Sequence, residues 1–290
     1  MKSKDKLAIV GWVAILICLI IGLLLWEQIP RQLPAQSSKE LKLSDFPEVF
    51  NESALIIIGN NAPERELQAA EDIADYLKNK TGNKPKIKKF SKIATDDKRN
   101  YNLIIIGTPK SNKMLGEIYK ISDVLEVNES FPGEGKGILE ILPNPWNESK
   151  AMLLVEGQEY KNPASQYVLG RGIDTMKQIL LQENKIRKIK VSKIYGPYNG
   201  WKPHSQPGII GFPNPAALYC EKVGYWGSDK CNTWEFFSGL CDEEHTYCSR
   251  TGGILVTIKN WCRFAPVCAV CILPSGKICY EFDYAMGVCK

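Results

Sequence analysis

The chain has 290 residues, of which 44% are hydrophobic and 24% charged, and its formal net charge is +5. This length allows one medium domain and a smaller unit, because a typical domain contains about 100 to 150 residues. So small a net charge argues against the strongly basic surface that binds nucleic acid, and no nucleic-acid partner is expected.

The apolar run from Leu7 to Trp26 contains 20 residues and no charged side chain. A helix of this length rises about 30 Å, which matches the hydrocarbon layer of a bilayer. Three lysines precede the run, so the N-terminus is predicted to stay in the cytoplasm and the bulk of the chain to be extracellular. A cleaved signal peptide is the alternative, although its apolar core is usually shorter and precedes small residues. We therefore predict a cytoplasmic stub and a single-pass cell-membrane anchor over residues 1–26.

Residues 49–195 are predicted to form an α/β domain, which follows a stalk at 27–48 that mixes proline, glutamine, serine and charge. Two wholly apolar strands, Ala54–Gly59 and Leu103–Gly107, end in glycine, and a segment with helical spacing follows each of them. Such units are typical of a parallel sheet that helices cover on both faces. The expected fold class is therefore α/β, with a flavodoxin-like, mostly parallel sheet.

Further segments complete the predicted domain. The segment Lys86–Phe90 carries lysines that discourage strand pairing, which is typical of an edge strand. Residues 137–142 and 151–157 predict a pair of strands joined by a turn that contains proline. A helix is predicted through Ile173–Leu180, and a last exposed strand through Ile189–Ile194.

A linker rich in proline and glycine is predicted at residues 196–213, and the composition changes after it. The region 214–290 holds nine of the ten cysteines. Outside the cell this density predicts a disulfide scaffold, whereas a zinc ribbon needs a second Cys-x-x-Cys motif besides Cys268–Cys271. The disulfide candidates are Cys220, Cys231, Cys241, Cys248, Cys262, Cys268, Cys271, Cys279 and Cys289. Because their number is odd, we expect one thiol to be free or bonded to another chain, and the connectivity stays open.

The Cys-rich region contains an internal repeat. Tyr219-Cys220 corresponds to Tyr247-Cys248, and both Cys231–Cys241 and Cys279–Cys289 enclose nine residues that include aromatic side chains and an acid. Modules this small bury too little surface to fold unaided, so each disulfide bond is expected to add about 2 to 4 kcal/mol of stability. The spacing predicts two copies of one module, and it leaves open a bridge between the copies.

The motifs of this double module also carry a resemblance. Asn214–Cys220 and Cys231–Cys241 provide the two ends of one copy, while Gly252-Gly253 and Val270–Cys279 belong to a second copy. These motifs resemble a family of small Cys-rich domains of unknown function that is often labelled putative haemolysin. The resemblance covers nearly all of residues 214–290 and implies no mechanism. The first copy lacks the family's central cysteine, so the family's bridge pattern does not carry over to it.

The middle of the chain, over about residues 54–182, carries a further set of motifs, which are Leu55–Pro63, Ala69–Leu77, Asn102–Gly107, Gly135–Gly137, Asn144–Asn147 and Met152–Gly157. These motifs are similar to those of a domain of archaeal surface-layer proteins. The same strands, with Gly107–Asn112, also resemble the non-catalytic N-terminal α/β domain of some glycan hydrolases, whose catalytic carboxylates lie on a separate barrel. Both resemblances imply a support or contact domain.

Motifs for catalysis are missing from the sequence. Gly133–Gly137 lacks the phosphate-loop frame and precedes a strand, and the chain has no Gly-x-Ser-x-Gly elbow. Of the two histidines, His204 lies in the predicted linker, and His245 follows Asp242–Glu244, which we interpret as a solvated segment rather than a cation site. We therefore predict no enzyme, with no catalytic, cofactor-binding or metal-binding residue.

Four Asn-x-Ser/Thr sequons lie beyond the predicted anchor and before the Cys-rich region. In an extracellular protein these sequons are candidate glycosylation sites. The candidate residues are Asn51, Asn79, Asn128 and Asn147.

These features together predict a membrane-anchored protein of an archaeal cell envelope with a structural, adhesive or surface-layer-associated role. The expected partners are the membrane and either an envelope protein or a glycan. Two alternatives stay open at this point. The Cys-rich tip could act as an inhibitor or effector, or the chain could be a glycan-binding accessory protein.

Overall fold

A computed structural model describes residues 40–133, 135–158, 171–198, 214–225, 227–259, 262 and 264–290. The predicted anchor at Leu7–Trp26, most of the predicted stalk and residues 199–213 of the predicted linker lie outside these ranges. Within the described ranges, no helix combines the length and the apolar character that crossing a bilayer requires.

The strands, in chain order, are β1 (Ala54–Ile58), β2 (Lys86–Lys89), β3 (Asn102–Gly107), β4 (Gly137–Asn144), β5 (Asn147–Gly157), β6 (Lys193–Tyr198), β7 (Ile254–Lys259), β8 (Val267–Ile272) and β9 (Lys277–Tyr280). The helices are α1 (Glu64–Thr81), α2 (Thr95–Asn100), α3 (Met114–Ile118), α4 (Arg171–Leu180), α5 (Glu183–Ile186), α6 (Pro215–Val223), α7 (Thr233–Phe237), α8 (Tyr247–Arg250) and α9 (Glu281–Ala285). Short 3₁₀ helices cover Leu43–Asp45, Glu48–Phe50, Phe90–Lys92 and Glu243–His245.

In the described part of the chain, all of these strands form one sheet in the order β2-β1-β3-β5-β4-β6-β9-β8-β7. The first four strands in this order are parallel, and β4 runs antiparallel to both of its neighbours. Strand β6 pairs in parallel with β9, and β8 is antiparallel to both of its neighbours, β9 and β7. The predicted α/β class is confirmed, and the sheet as a whole is mixed.

Helices cover both faces of this sheet, because successive side chains of a strand point to opposite faces. On one face, Ile56, Ile104 and Val270 belong to a continuous apolar core with α1 and α4. On the other face, α3 packs against the N-terminal half. Opposite the C-terminal half, Cys248 of α8 packs against Cys271 of β8. Strands of the predicted α/β domain and of the Cys-rich region thus share one core.

Several predicted elements are confirmed. Helix α1 buries the face formed by Ala70, Ile73 and Leu77, and it ends where Gly82 adopts a left-handed conformation with φ of 81°. The charged segment around β2 is an edge strand, and β4 and β5 form the predicted pair.

The last strand of the predicted α/β domain lies elsewhere than we predicted. Ile189 and Val191 precede β6, and their carbonyl oxygens accept hydrogen bonds from the backbone of Ser44 and Leu43. Strand β6 instead extends to Tyr198 and is central, between β4 and β9. Its Gly-Pro pair at 196–197 made this stretch resemble the start of a linker.

The folded part also begins before residue 49. Leu43 and Phe46 are fully buried in the core with α1, although both lie in the predicted stalk. Leu41, Leu43 and Phe46 are unevenly spaced among charged and polar residues, so the sequence shows neither a helical nor a strand period there.

Candidate functional site

The chain connections from β1 and β3 leave the sheet in opposite directions, so a crevice forms outside the carboxyl ends of these two strands. Open α/β sheets usually bind ligands in such a crevice. Here the loop that follows β3 fills it. The Asn112 side-chain amide donates hydrogen bonds to the carbonyl oxygens of Ile57, at 3.2 Å, and Ile106, at 2.9 Å. A Cβ atom on Gly59 would overlap the carbonyl oxygen of Ser111, so only glycine allows the loop this close. The chain therefore occupies its own crevice.

Buried carboxyl groups hold further segments onto the α/β part of the sheet. Glu156 of β5 is fully buried, and its Oε2 accepts a hydrogen bond from the Tyr119 hydroxyl. Burial raises the pKa of Glu156 to about 8. Glu140 of β4 is 3% exposed, accepts a hydrogen bond of 2.9 Å from the Leu125 backbone amide, and has a pKa that burial raises. Both groups anchor the segment 119–127, which is a structural role.

Eight of the predicted disulfide cysteines form four bridges in the described residues. The pairs are Cys231–Cys241, Cys248–Cys271, Cys262–Cys268 and Cys279–Cys289. Each bridge joins two cysteines of the same copy of the repeat. Cys220 is a buried free thiol, and burial raises its pKa.

The repeat is visible in the structure. The bridges Cys231–Cys241 and Cys279–Cys289 each enclose a short helix, α7 or α9, and in both the Cα atoms are 5.9 Å apart. Cys220 of the first copy corresponds to Cys248 of the second. The partner of Cys248 lies on β8, and the residues that the structure describes between α6 and Cys231 include no strand corresponding to β8. This missing strand explains why Cys220 is unpaired.

The Cys-x-x-Cys motif cannot act as a chelating pair. Cys268 and Cys271 lie on β8 three residues apart, so their side chains point to opposite faces of the sheet. Cys268 belongs to the core that contains α1, whereas Cys271 belongs to the core that contains α8.

The acidic segment beside His245 makes pairs within the protein. Asp242 accepts hydrogen bonds from the hydroxyls of Tyr225 and Ser228, and Glu243 forms an ion pair with Lys185. The His245 Nε2 lies 3.9 Å from Glu244, and both residues are exposed. The other histidine, His204, lies outside the described residues.

The predicted glycosylation candidates differ in access. Asn51, Asn79 and Asn128 are exposed. Asn147 is half-buried, and its Nδ2, the atom that would carry a glycan, donates a hydrogen bond of 2.8 Å to the Arg99 carbonyl oxygen. Glycosylation at all four positions stays a prediction.

The strongest candidate for a binding site is a groove in the Cys-rich region, which we call the aromatic groove. Its lining residues are Asn232, Trp234, Glu235, Ser238, Leu240, Phe264, Ala265, Pro266 and Val267. The side chains of Trp234, Leu240 and Phe264 are 40%, 58% and 37% exposed, so the groove collects three of the five exposed large hydrophobic side chains in the described residues. The groove encloses about 770 Å³, including open solvent at its mouth.

Disulfide bonds hold both walls of the aromatic groove. The bridge Cys231–Cys241 closes the loop that carries Trp234 and Leu240, and Cys262–Cys268 closes the loop that carries Phe264. The rings beneath are also packed, since Trp234 meets Phe237 edge-on with ring centroids 5.6 Å apart. A wall fixed in this way loses little conformational entropy on binding.

The sequence alone did not identify this groove, because its two walls come from loops about 30 residues apart. A signal was nevertheless present. Each wall is a short loop closed by two cysteines and rich in apolar residues, and such a loop is too short to bury all of them.

Comparisons with known proteins give little further information. No family model matches the chain. An uncharacterised protein of Archaeoglobus fulgidus is 30% identical over 88 aligned residues, which cover 24% of this chain and 41% of that protein. The alignment thus spans less than half of the relative, whose name states no activity.

Proposed function

We propose that this protein is a membrane-anchored component of the cell envelope and that its aromatic groove binds an apolar segment of a neighbouring envelope protein. Residues 7–26 would form the single span, and the folded part would lie outside the cell. The observation that carries the proposal is the exposed apolar groove with a disulfide bond behind each wall. Four bridges in so short a region also favour an oxidising, extracellular location.

The lining of the aromatic groove favours a protein segment over a glycan. Besides the rings of Trp234 and Phe264, the groove offers the aliphatic surface of Leu240 and Val267, which suits the apolar side chains of a protein segment. The polar groups nearby already serve the start of α7, because Asn232 Oδ1 accepts hydrogen bonds from the backbone amides of Trp234 and Glu235. Glu235 Oε2 accepts a hydrogen bond from the Asn232 backbone amide. Few groups remain for the hydroxyls of a sugar.

The charge of the groove indicates which residues the bound segment should contain. Glu235 is the one charged residue among the lining residues that the structure describes, and it is exposed. The expected segment is therefore apolar with a basic residue at one end.

The α/β part would act as a support. Its flavodoxin-like strand order β2-β1-β3 would normally offer a ligand crevice, which the loop after β3 fills. The resemblance to surface-layer domains is consistent with this role.

Fractionation of cell envelopes tests the proposal. The full chain should remain with envelope protein after mild detergent has dissolved the membrane, because the groove contact does not depend on lipid. The double variant Trp234→Ala/Leu240→Ala should be released, since it removes most of the exposed apolar surface of the groove. The matched control is Ile121→Ala, which removes a side chain that is 53% exposed and is not a lining residue. Release of the wild-type chain as a free monomer, or retention of the double variant, would contradict the proposal.

A further inference from the structure

Three potential metal-binding side chains meet in the second module, apart from the aromatic groove. The sulfur atoms of Cys248 and Cys271 and a carboxylate oxygen of Glu281 all lie within 4.8 Å of one another, and all three residues are buried. Cys248 belongs to α8, Cys271 to β8 and Glu281 to α9. Elements that are distant in sequence thus bring together two sulfur donors and one oxygen donor.

The carboxyl group of Glu281 provides a second, independent observation. Its side chain is 2% exposed, and Oε1 accepts hydrogen bonds from the Tyr219 hydroxyl, at 2.5 Å, and the Cys248 backbone amide, at 3.0 Å. The other oxygen, Oε2, is buried and has no hydrogen-bond partner among the described residues. An unpaired buried carboxylate oxygen costs free energy, and binding a cation would remove that cost.

We propose that reduction of the Cys248–Cys271 bridge converts Cys248, Cys271 and Glu281 into a binding site for a divalent cation of the zinc type. In the oxidised protein the two sulfurs are bonded to each other, so the site exists only after reduction. The same three side chains would give the module two states, one closed by a covalent bond and one closed by a metal ion.

The chemistry balances with a thiol or phosphine as the reductant. The reductant gives two electrons to the sulfur–sulfur bond, which breaks, and each sulfur takes up one proton to become a thiol. Two molecules of a thiol reductant supply both protons and leave as their disulfide. A phosphine leaves as its oxide, and water supplies that oxygen and both protons. The cation then displaces both thiol protons, and the carboxyl proton where Glu281 is protonated, into solvent.

The donor set fits zinc better than calcium or magnesium, which prefer oxygen ligands. In a tetrahedral zinc complex, two thiolates lie about 2.3 Å from the metal and so about 3.8 Å from each other. The Cα atoms of Cys248 and Cys271 are 5.5 Å apart, and side-chain rotation can separate the sulfurs without a large movement of the backbone. Three protein ligands leave the fourth position for water.

The first copy of the repeat serves as an internal comparison. Cys220 corresponds to Cys248, but Thr233 stands where the second copy has Glu281, and the counterpart of Cys271 is missing. The first copy therefore has one of the three donors, and we expect it to bind no cation.

Zinc K-edge absorption spectroscopy of the wild-type full chain tests the inference. The protein is reduced with a phosphine, freed of reductant without oxygen, and loaded with one equivalent of zinc. The expected first shell contains two sulfur ligands and the remainder oxygen, and the oxidised protein should bind no zinc. A shell of three or four sulfurs, or no zinc bound after reduction, would overturn the inference.

Matched variants locate the site. In the reduced state, Cys271→Ser should abolish tight zinc binding, whereas Cys268→Ser, three residues away on the opposite face of β8, should leave the affinity unchanged. Glu281→Gln should weaken binding by about tenfold or more, a loss seen even when a group that only supports a ligand is removed. Circular dichroism of each oxidised variant checks the fold. Wild-type affinity in Glu281→Gln, or lost binding in Cys268→Ser, would assign the metal to other groups.

Discussion

Buried carboxyl groups show how much single residues determine in this fold. Glu66 in the first turn of α1 accepts a hydrogen bond of 2.7 Å from the Ser111 hydroxyl and so holds the loop that fills the crevice. Glu156 holds Tyr119, and Glu281 holds Tyr219 of the first module together with the backbone of the second. Each group connects chain segments that are distant in sequence.

Glu156 should make the stability of the protein depend on pH. Its pKa rises from 4.5 in the unfolded chain to about 8 in the fold because of burial. The folded state therefore keeps a proton that the unfolded state loses, so this stabilisation is complete below pH 4.5 and is lost as the pH rises to about 8. The expected loss from this one group is at most about 1.4 kcal/mol per pH unit.

Chemical denaturation of the wild type and of Glu156→Gln, at several pH values between 5 and 8, checks this prediction. The amide cannot titrate, so the free energy of unfolding of the variant should fall less steeply with pH. Glu281, whose pKa burial also raises, is present in both proteins and cancels in the difference. The charge of Glu140 also raises the pKa of Glu156, so the difference reports Glu156 together with this interaction. Parallel curves for the two proteins would show that Glu156 does not carry the effect.

The chemistry of individual residues was only partly predictable from the sequence. The disulfide scaffold followed from cysteine density, but the pairing of Cys248 with Cys271 depends on β8, whose position the spacing does not reveal. Glu281 occurs in the repeat as one acid among aromatic residues, and only the fold places it beside two sulfurs. The sequence showed Trp234 as a residue of the repeat, but it did not predict that its side chain would be exposed in a groove.

At the scale of elements, the sequence predicted best where a strand is apolar on both faces. Strands β1 and β3 are of this kind, and their positions and parallel pairing are confirmed. Strand β6 was misplaced, because Gly196 and Pro197 are typical of a linker and the apolar residues before it lie in an extended connection. Local composition could not show that a later strand, β9, would pair with it.

Both edges of the sheet are protected, each in a different way. The lysines of β2 discourage pairing with a strand of another chain, as the sequence predicted. At the other edge, the Gln178 side chain of α4 acts like a neighbouring strand, since its Oε1 accepts a hydrogen bond of 2.8 Å from the Lys259 backbone amide. Gln182 donates a hydrogen bond of 2.8 Å to the carbonyl oxygen of Thr257.

Removing this cover should loosen β7. In the double variant Gln178→Ala/Gln182→Ala the edge groups lose their partners, and we expect a loss of about 1 to 2 kcal/mol in the free energy of unfolding. Hydrogen–deuterium exchange should become faster at the Lys259 amide. The control Asn184→Ala changes an exposed residue of α5 and should change neither quantity. Unchanged exchange at Lys259 in the double variant would contradict the assigned role of Gln178.

At the scale of the whole folded unit, Glu40–Lys290, the Cys-rich region is continuous with the α/β part. Pairing of β6 with β9 extends one sheet through both, and one apolar core continues beneath them. The aromatic groove thus belongs to the same folded unit as the α/β part. This arrangement suits an α/β part that supports the groove. The filled crevice at the ends of β1 and β3 agrees with such a supporting role.

Photo-crosslinking from the aromatic groove in intact cells tests the central claim most directly. A photoreactive residue is placed at Leu240 in the full chain, or at Ile121 in the control, and mass spectrometry identifies the adducts. We predict that position 240 links to one envelope protein, through an apolar segment with a basic residue, and that position 121 does not. Adducts with glycan alone, or the same protein adducts from both positions, would contradict the claim.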